Sequence, residues 1–210
     1  MFMQIFLISS VPIILATIGV DVSQKVSQIQ FECLKDSGYK FIIVRVYRKN
    51  GIVDSNCAET IKNARAVGLK QIEAYFLPCF SCGDASQQVI ETIDYLKDEN
   101  VEIDRLWLNI EGKWNNNNST DINIQFIEEL IVQISNLGMK FGIFTSKFHW
   151  ISIMNNITKF SSYAPLWYIE HDNERSFDDF QTFGEWRQPS MKQFIGDVKE
   201  CGVILNKNFS

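Results

Sequence analysis

The chain has 210 residues, 46% of them hydrophobic, with 20 Lys and Arg against 25 Asp and Glu for a net charge of −5. That length supports one domain with a sizeable core, and that hydrophobic share excludes a disordered chain. The negative balance and the lack of an evident Lys/Arg cluster argue against nucleic acid as partner. There is no Walker loop and no Gly-x-Gly-x-x-Gly after a strand, and two histidines, His149 and His171, are too few for a His-based zinc site.

Met1 to Ile18 is apolar except for Gln4, Ser9, Ser10 and Thr17, and the small residues Ala16 and Gly19 close it. This resembles a secretory signal peptide, though without a basic residue at its start. About 18 apolar residues could nearly span a bilayer, but Ser9, Ser10 and Pro12 make a poor anchor. We expect residues 1–19 to be the signal peptide, cut near Ala16 to Gly19, and residues 20–210 to be the domain. The mature protein is then secreted or lumenal, monomeric and free of the membrane. Sequons at Asn117, Asn118, Asn156 and Asn208 fit that route.

The elements follow in order. Ile18 to Ser23 is a short β-like run with Asp21 near its end. Val26 to Lys35 reads as a helix stopped at Ser37-Gly38. Phe41 to Tyr47 is a nearly continuous apolar run, the pattern of a strand buried on both faces. Asp54 is placed to cap a helix running to Val67. Gln71 to Leu77 is a strand ended by Pro78, and Gln87 to Leu96 is a helix by its apolar spacing.

Leu106 to Gly112 reads Leu-Trp-Leu-Asn-Ile-Glu-Gly, the stretch around which the chain is organised. On a strand, residues two apart share a face, so Asn109 and Glu111 project together at its C-terminal end. Ligands bind at that end in α/β proteins. Helix Phe126 to Leu137, strand Phe141 to Thr145, helix His149 to Met154 and strand Pro165 to Ile169 come next. In the turn-rich Arg175 to Pro189, Phe177, Phe180, Phe183 and Trp186 are packing anchors. Met191 to Ile195 and Val203 to Leu205 are the last strands. Strands alternating with helices imply a parallel α/β sheet, and about eight strands in one domain favour an irregular (β/α) TIM-like barrel.

Five cysteines, Cys33, Cys57, Cys79, Cys82 and Cys201, suit an oxidising compartment. The C-x-x-C spacing of Cys79 and Cys82 is compatible with metal, redox chemistry or a disulfide, and Pro78 and Gly83 favour a stapled loop. The odd count leaves one thiol free or paired outside the chain.

Taken in order, Gly19-Val-Asp-Val-Ser-Gln24, Leu106 to Gly112, Gly142-Ile-Phe-Thr-Ser146, Pro165-Leu-Trp-Tyr168, Phe183-Gly-Glu-Trp186, Lys192-Gln-Phe194 and Leu205-Asn-Lys-Asn-Phe209 resemble the glycoside hydrolase family 25 lysozymes. The Pro78 to Gly83 segment resembles the eukaryotic branch. The resemblance implies cleavage of the β-1,4 bond between N-acetylmuramic acid and N-acetylglucosamine in peptidoglycan, without metal or cofactor. It implies a retaining mechanism assisted by the substrate's acetamido group. Glu111 matches the acid/base, and Asp21 matches the first-strand aspartate. Asn109 and Asn206 stand where the family carries aspartates, and Phe144 and Phe194 where it carries tyrosines.

Tyr75, Trp167, Tyr168 and Asn206 are expected to contact the sugar chain, and Trp107 to pack in the core. Asn109 can accept a hydrogen bond from the acetamide N–H but supplies no full charge. The lost stabilisation of an oxazolinium ring is about 3–4 kcal/mol, or 10²–10³ in rate, which is slow catalysis rather than none. A carbohydrate-binding pseudoenzyme is the alternative, and disulfide exchange through Cys79 and Cys82 a weaker one. Survival of the acid/base favours the enzyme.

Overall fold

The structure is a computed structural model and describes residues 16–114 and 119–210. Strand β1 (Ile18–Val22) pairs in parallel with β2 (Phe41–Arg48), which continues to β4 (Gln71–Phe76), β5 (Leu106–Ile110), β6 (Phe141–Thr145), β7 (Leu166–Ile169) and β8 (Met191–Glu200). Strand β9 (Val203–Phe209) pairs with both β8 and β1 and closes the barrel. A two-residue strand, β3 (Ile52–Val53), hangs from β2.

The barrel is as expected, but it is not wholly parallel. Strand β9 runs antiparallel to both neighbours, because β8 and β9 form a hairpin. Its turn places Cys201 at φ 52° and Gly202 at φ 73°, the two positive values that match a tight hairpin to strand twist. Both strands are longer than the sequence suggested, since their ends extend beyond the buried run.

Among the described residues five α-helices pack outside: α1 (Gln28–Asp36), α2 (Cys57–Ala66), α3 (Ala85–Asp98), α4 (Thr120–Asn136) and α5 (Lys147–Met154). Ser27 and Gln30 form a capping box on α1, and Asp84 and Ser146 cap α3 and α5. Asp54 does not cap α2 as expected. Its carboxylate lies between Arg45 and Arg48, which hold it below the usual aspartate range against the upward push of burial. Helix α4 starts six residues earlier than predicted because a buried Asn123 interrupts the apolar spacing. That side chain instead donates to the Ile153 carbonyl at 2.8 Å.

Side chains alternate across the strands and divide the core. One layer lies between the sheet and the helices. The other fills the barrel interior with Phe41, Ile43, Tyr75, Trp107, Phe144, Trp167 and Met191. The anchors expected in the turn-rich segment pack as predicted, with Phe183 and Trp186 buried and Phe177 and Phe180 against the core.

The N-terminal stretch 1–15 lies outside the described residues, and so does 115–118 with the sequons at Asn117 and Asn118. Thr17 exchanges two backbone hydrogen bonds with Ser210, and Ile18 and Gly19 pair with Phe209 and Asn208. Cleavage at Ala16 leaves β1 whole, whereas cleavage after Gly19 removes its first two residues. The sequon at Asn208 is a correction: this side chain is fully buried and hydrogen-bonded on both sides, so the folded barrel offers no place for a glycan.

Two disulfides are present, Cys33–Cys201 and Cys79–Cys82, and Cys57 is a free, buried thiol. The first closes a loop of 168 residues and ties α1 to the β8–β9 turn. Loops of this size stabilise by about 5 kcal/mol in the chain-entropy account. Burial pushes the Cys57 thiol up to about 12. Mass spectrometry of the unreduced protein is therefore expected to find both bridges and one thiol that alkylates only after denaturation. A second free thiol, or Cys57 in a bridge, contradicts this assignment.

Candidate active site

Trp107, Asn109 and Glu111 form the inward file of β5, two residues apart, as the sequence predicts. Trp107 is buried in the interior, its indole N–H donating to Glu73 Oε2 at 2.5 Å. Asn109 is 6% exposed. Glu111, one residue past the strand, keeps 30% of its side chain exposed and looks into a cleft of about 1040 Å³. Its backbone carbonyl accepts the Trp114 indole N–H at 3.0 Å, and Gly112 at φ 76° turns the chain away.

Phe80, Trp114 and Phe126 pack together beside this turn, and Phe80, Trp114 and Ile122 line the cleft. The Cys79–Cys82 bridge shapes the same wall. It packs against Gly51, where any β-carbon would sit 2.6 Å from the Cys82 sulfur. This disulfide serves as a staple, the alternative the flanking Pro78 and Gly83 favoured.

Burial pushes the Glu111 carboxyl above the usual glutamate range. A hydrogen bond from Asn109 and the imidazoles of His149 and His171 act in the opposite direction. His149 comes from the first turn of α5, which starts two residues earlier than predicted. Its Nδ1 lies 3.8 Å from Glu111 Oε1 and 3.0 Å from Ser146 Oγ. The carbonyl-type oxygen of Asn109, Oδ1, is buried and has no hydrogen-bond partner among the described residues. Buried acceptors are nearly always satisfied, so this one marks a place where a ligand donor fits.

Asp21 lies deeper and does not line the cleft; it is 2% exposed. Its Oδ1 accepts from Gln193 Nε2 at 2.9 Å and Asn208 Nδ2 at 2.7 Å, and its Oδ2 accepts from Asn206 Nδ2 at 2.7 Å. Burial pushes the carboxyl up to about 6 despite the three amide donors, with a further upward push from Glu111. Asp21 is thus held beneath the cleft by three amides without lining it.

The expected sugar contacts fare unevenly. Tyr75, 7% exposed, packs edge-on to Phe144 and Trp167 inside the barrel. Trp167 is fully buried, stacked on Phe144 at 3.5 Å between centroids, and its indole N–H donates to Asn208 Oδ1. It presents no face to a sugar, because bulky neighbours fill the barrel interior below the top layer. Tyr168 points the other way, among Phe177 and Phe180, with its hydroxyl on Asp179. Buried Lys192 holds Asp179 and Asp172 at 2.7 and 2.6 Å. Asn206 is engaged by the protein at both ends, donating to Asp21 and accepting from the Asp197 N–H at 2.8 Å. Trp167 is corrected from a substrate contact to a core residue, while Tyr168 lines a separate cavity beyond α5 and the partly buried Asn206 is held against Asp21. His149, Gln193 and Asn208 were missed as parts of the site, though Gln193 and Asn208 lie in motifs quoted above. No group of three or more His, Cys, Asp or Glu among the described residues is arranged to hold a metal.

A family model described as Lysozyme-like protein 1 matches residues 14–194. The chain is 39% identical over 196 residues to "Probable GH family 25 lysozyme 5" of Dictyostelium discoideum, covering 91% of this chain and 89% of that one. The chain belongs to the glycoside hydrolase family 25 lysozymes. It is also 32% identical over 195 residues to Lysozyme-like protein 5 of Caenorhabditis elegans, covering 91% and 90%. Among solved structures, the muramidase from Trichobolus zukalii matches with a TM-score of 0.71 at 18% identity, covering 91% and 92%, a likeness of fold. Within this glycosidase family the chain's two asparagines acquire a physical meaning. An aspartate at 206 would set a second carboxylate against Asp21; Asn206 instead donates to it.

Proposed function

We propose that this family 25 lysozyme is secreted and cleaves the β-1,4 bond between N-acetylmuramic acid and N-acetylglucosamine in peptidoglycan, with retention of configuration. Glu111, carboxyl protonated, gives its proton to the leaving glycosidic oxygen as the bond to the anomeric carbon breaks. The substrate's acetamido oxygen closes on that carbon, and Asn109 Oδ1 accepts the acetamide N–H. Water then opens the oxazolinium ring, and Glu111 takes the proton back. Asp21 supplies negative field from below. The observation that carries this reading is the pairing of a cleft-facing Glu111, its carboxyl pushed above the usual glutamate range by burial, with a partnerless Asn109 acceptor two residues away. It is tested by turnover of purified peptidoglycan by the wild-type chain and by Glu111→Gln.

The pH profile gives a separate check. The acid form of Glu111 is required, so kcat/KM falls as pH rises through its raised pKa. A cationic imidazole 3.8 Å away favours the carboxylate and pulls that limb down. His149→Gln is therefore expected to move the alkaline limb to higher pH, with His171 and Asp21 left in place. An unmoved limb, or one moved to lower pH, contradicts the role given to His149.

A further inference from the structure

The cleft has a charge asymmetry that proton transfer at Glu111 does not use. Lys49, just past β2, and Lys113, in the turn after β5, both line it. Both are exposed, and among the described residues neither has a salt-bridge or hydrogen-bond partner. An adjoining cavity of about 440 Å³ shares Lys49 and Leu77 with the cleft and adds Arg45 and Arg48. Against these four cations stands the single buried carboxylate of Asp54, one oxygen on Arg45 at 2.8 Å and the other on Arg48 at 2.6 Å. Arg48 Nε is buried and partnerless. Apart from Glu111, no carboxylate among the described residues lines either cavity.

The other flank of α5 is the reverse. A cavity of about 400 Å³ there is lined by Glu170, Asp172 and Asp179, with Lys147 as its lining cation and buried Lys192 behind the two aspartates, which leaves Glu170 as the carboxylate without a salt bridge among the described residues. A chain of net charge −5 therefore concentrates free positive charge on one wall beside its proton donor. Arg45, Arg48 and Lys49 are far from Lys113 in sequence and meet it only when β2 and β5 are brought to one mouth.

We propose that the Lys49–Lys113 wall is a carboxylate subsite. It seats the acidic branch carried by an amino-sugar chain and so separates acid-branched chains from neutral, chitin-like ones. This rests on the hydrolase reading of Glu111. The branch charge comes from the lactyl carboxylate of the sugar or from the peptide attached to it. A continuous polyanion fits worse, since it would also meet Glu111 and the acidic flank. Isolated carboxylates on a neutral sugar chain meet the basic wall while the acidic flank repels them, which fixes the direction of binding. Exposed lysines give selectivity and orientation more than raw affinity, and salt screens them.

The test compares kcat/KM for chitin oligomers, for glycan chains stripped of peptide but keeping the lactyl carboxylate, and for peptide-bearing chains. The wild-type chain is expected to prefer an acid-branched chain over the oligomers, less so at high salt. The double variant Lys49→Glu, Lys113→Glu should lower that preference about tenfold, while Lys49→Arg, Lys113→Arg keeps it. A loss confined to peptide-bearing chains assigns the charge to the peptide; a loss on both assigns it to the lactyl group. A preference within twofold of wild type in the charge-reversed variant overturns the proposal. If the wild-type chain cleaves none of the three, the hydrolase reading fails by itself. Binding of the same three chains then decides: tighter binding of acid-branched chains, lost on charge reversal, supports the subsite, and equal binding overturns it.

Discussion

Glu111→Gln is expected to lower turnover of peptidoglycan by at least about 10³-fold while glycan binding persists. Glutamine keeps the shape and still accepts the Asn109 hydrogen bond, but it has no proton to give. Thermal stability separates chemistry from folding. The folded Glu111 pKa is raised, so that group favours folding below its ordinary pKa, and the advantage is lost as pH rises through the folded value. Near neutral pH the variant removes a cost, and its Tm should stay level or rise. A variant that folds, binds and still cleaves at the wild-type rate contradicts Glu111 as proton donor. Binding without turnover in both proteins favours the carbohydrate-binding pseudoenzyme instead.

Asn109→Asp is the second large effect, and its sign is opposite. A carboxylate there would accept the acetamide N–H with full charge and offset the oxazolinium ring, restoring part of the 10²–10³ discussed above. A second carboxylate beside Glu111 would also hold that group protonated to higher pH. The expected result is a rise in kcat/KM of about tenfold to 10²-fold, with the alkaline limb moved up. The competing term is the amide donor now given to Glu111, which aspartate lacks. A drop in rate means that the donor matters more than the charge, and that this site is built around the amide.

The sequence made the Asn109–Glu111 pair legible because a strand's two-residue period is strict. Asn109 and Glu111 could not face different sides, and Asp21 stood on another apolar run of the right length. Most helices were legible for the same reason, from spacing and caps. The depth of each inward side chain was not. Trp167 also faces inward, but the layer it belongs to is sealed by Phe144 and Asn208, so the same parity gives packing in one place and a site in another. The amides around Asp21 come from β8 and β9, 172 to 187 residues away in sequence, and meet it through an antiparallel closure that no local pattern announces. His149 enters the cleft because Ser146 starts α5 at that point, which fixes one imidazole near Glu111.

The most direct measurement is the chemistry of the ends released from purified peptidoglycan by the mature protein. The proposal predicts soluble fragments whose new reducing ends are N-acetylmuramic acid, formed first in the β configuration of the bond that was cut, and absent with Glu111→Gln. New reducing ends of N-acetylglucosamine, first products of inverted configuration, or equal release by the glutamine variant would contradict it.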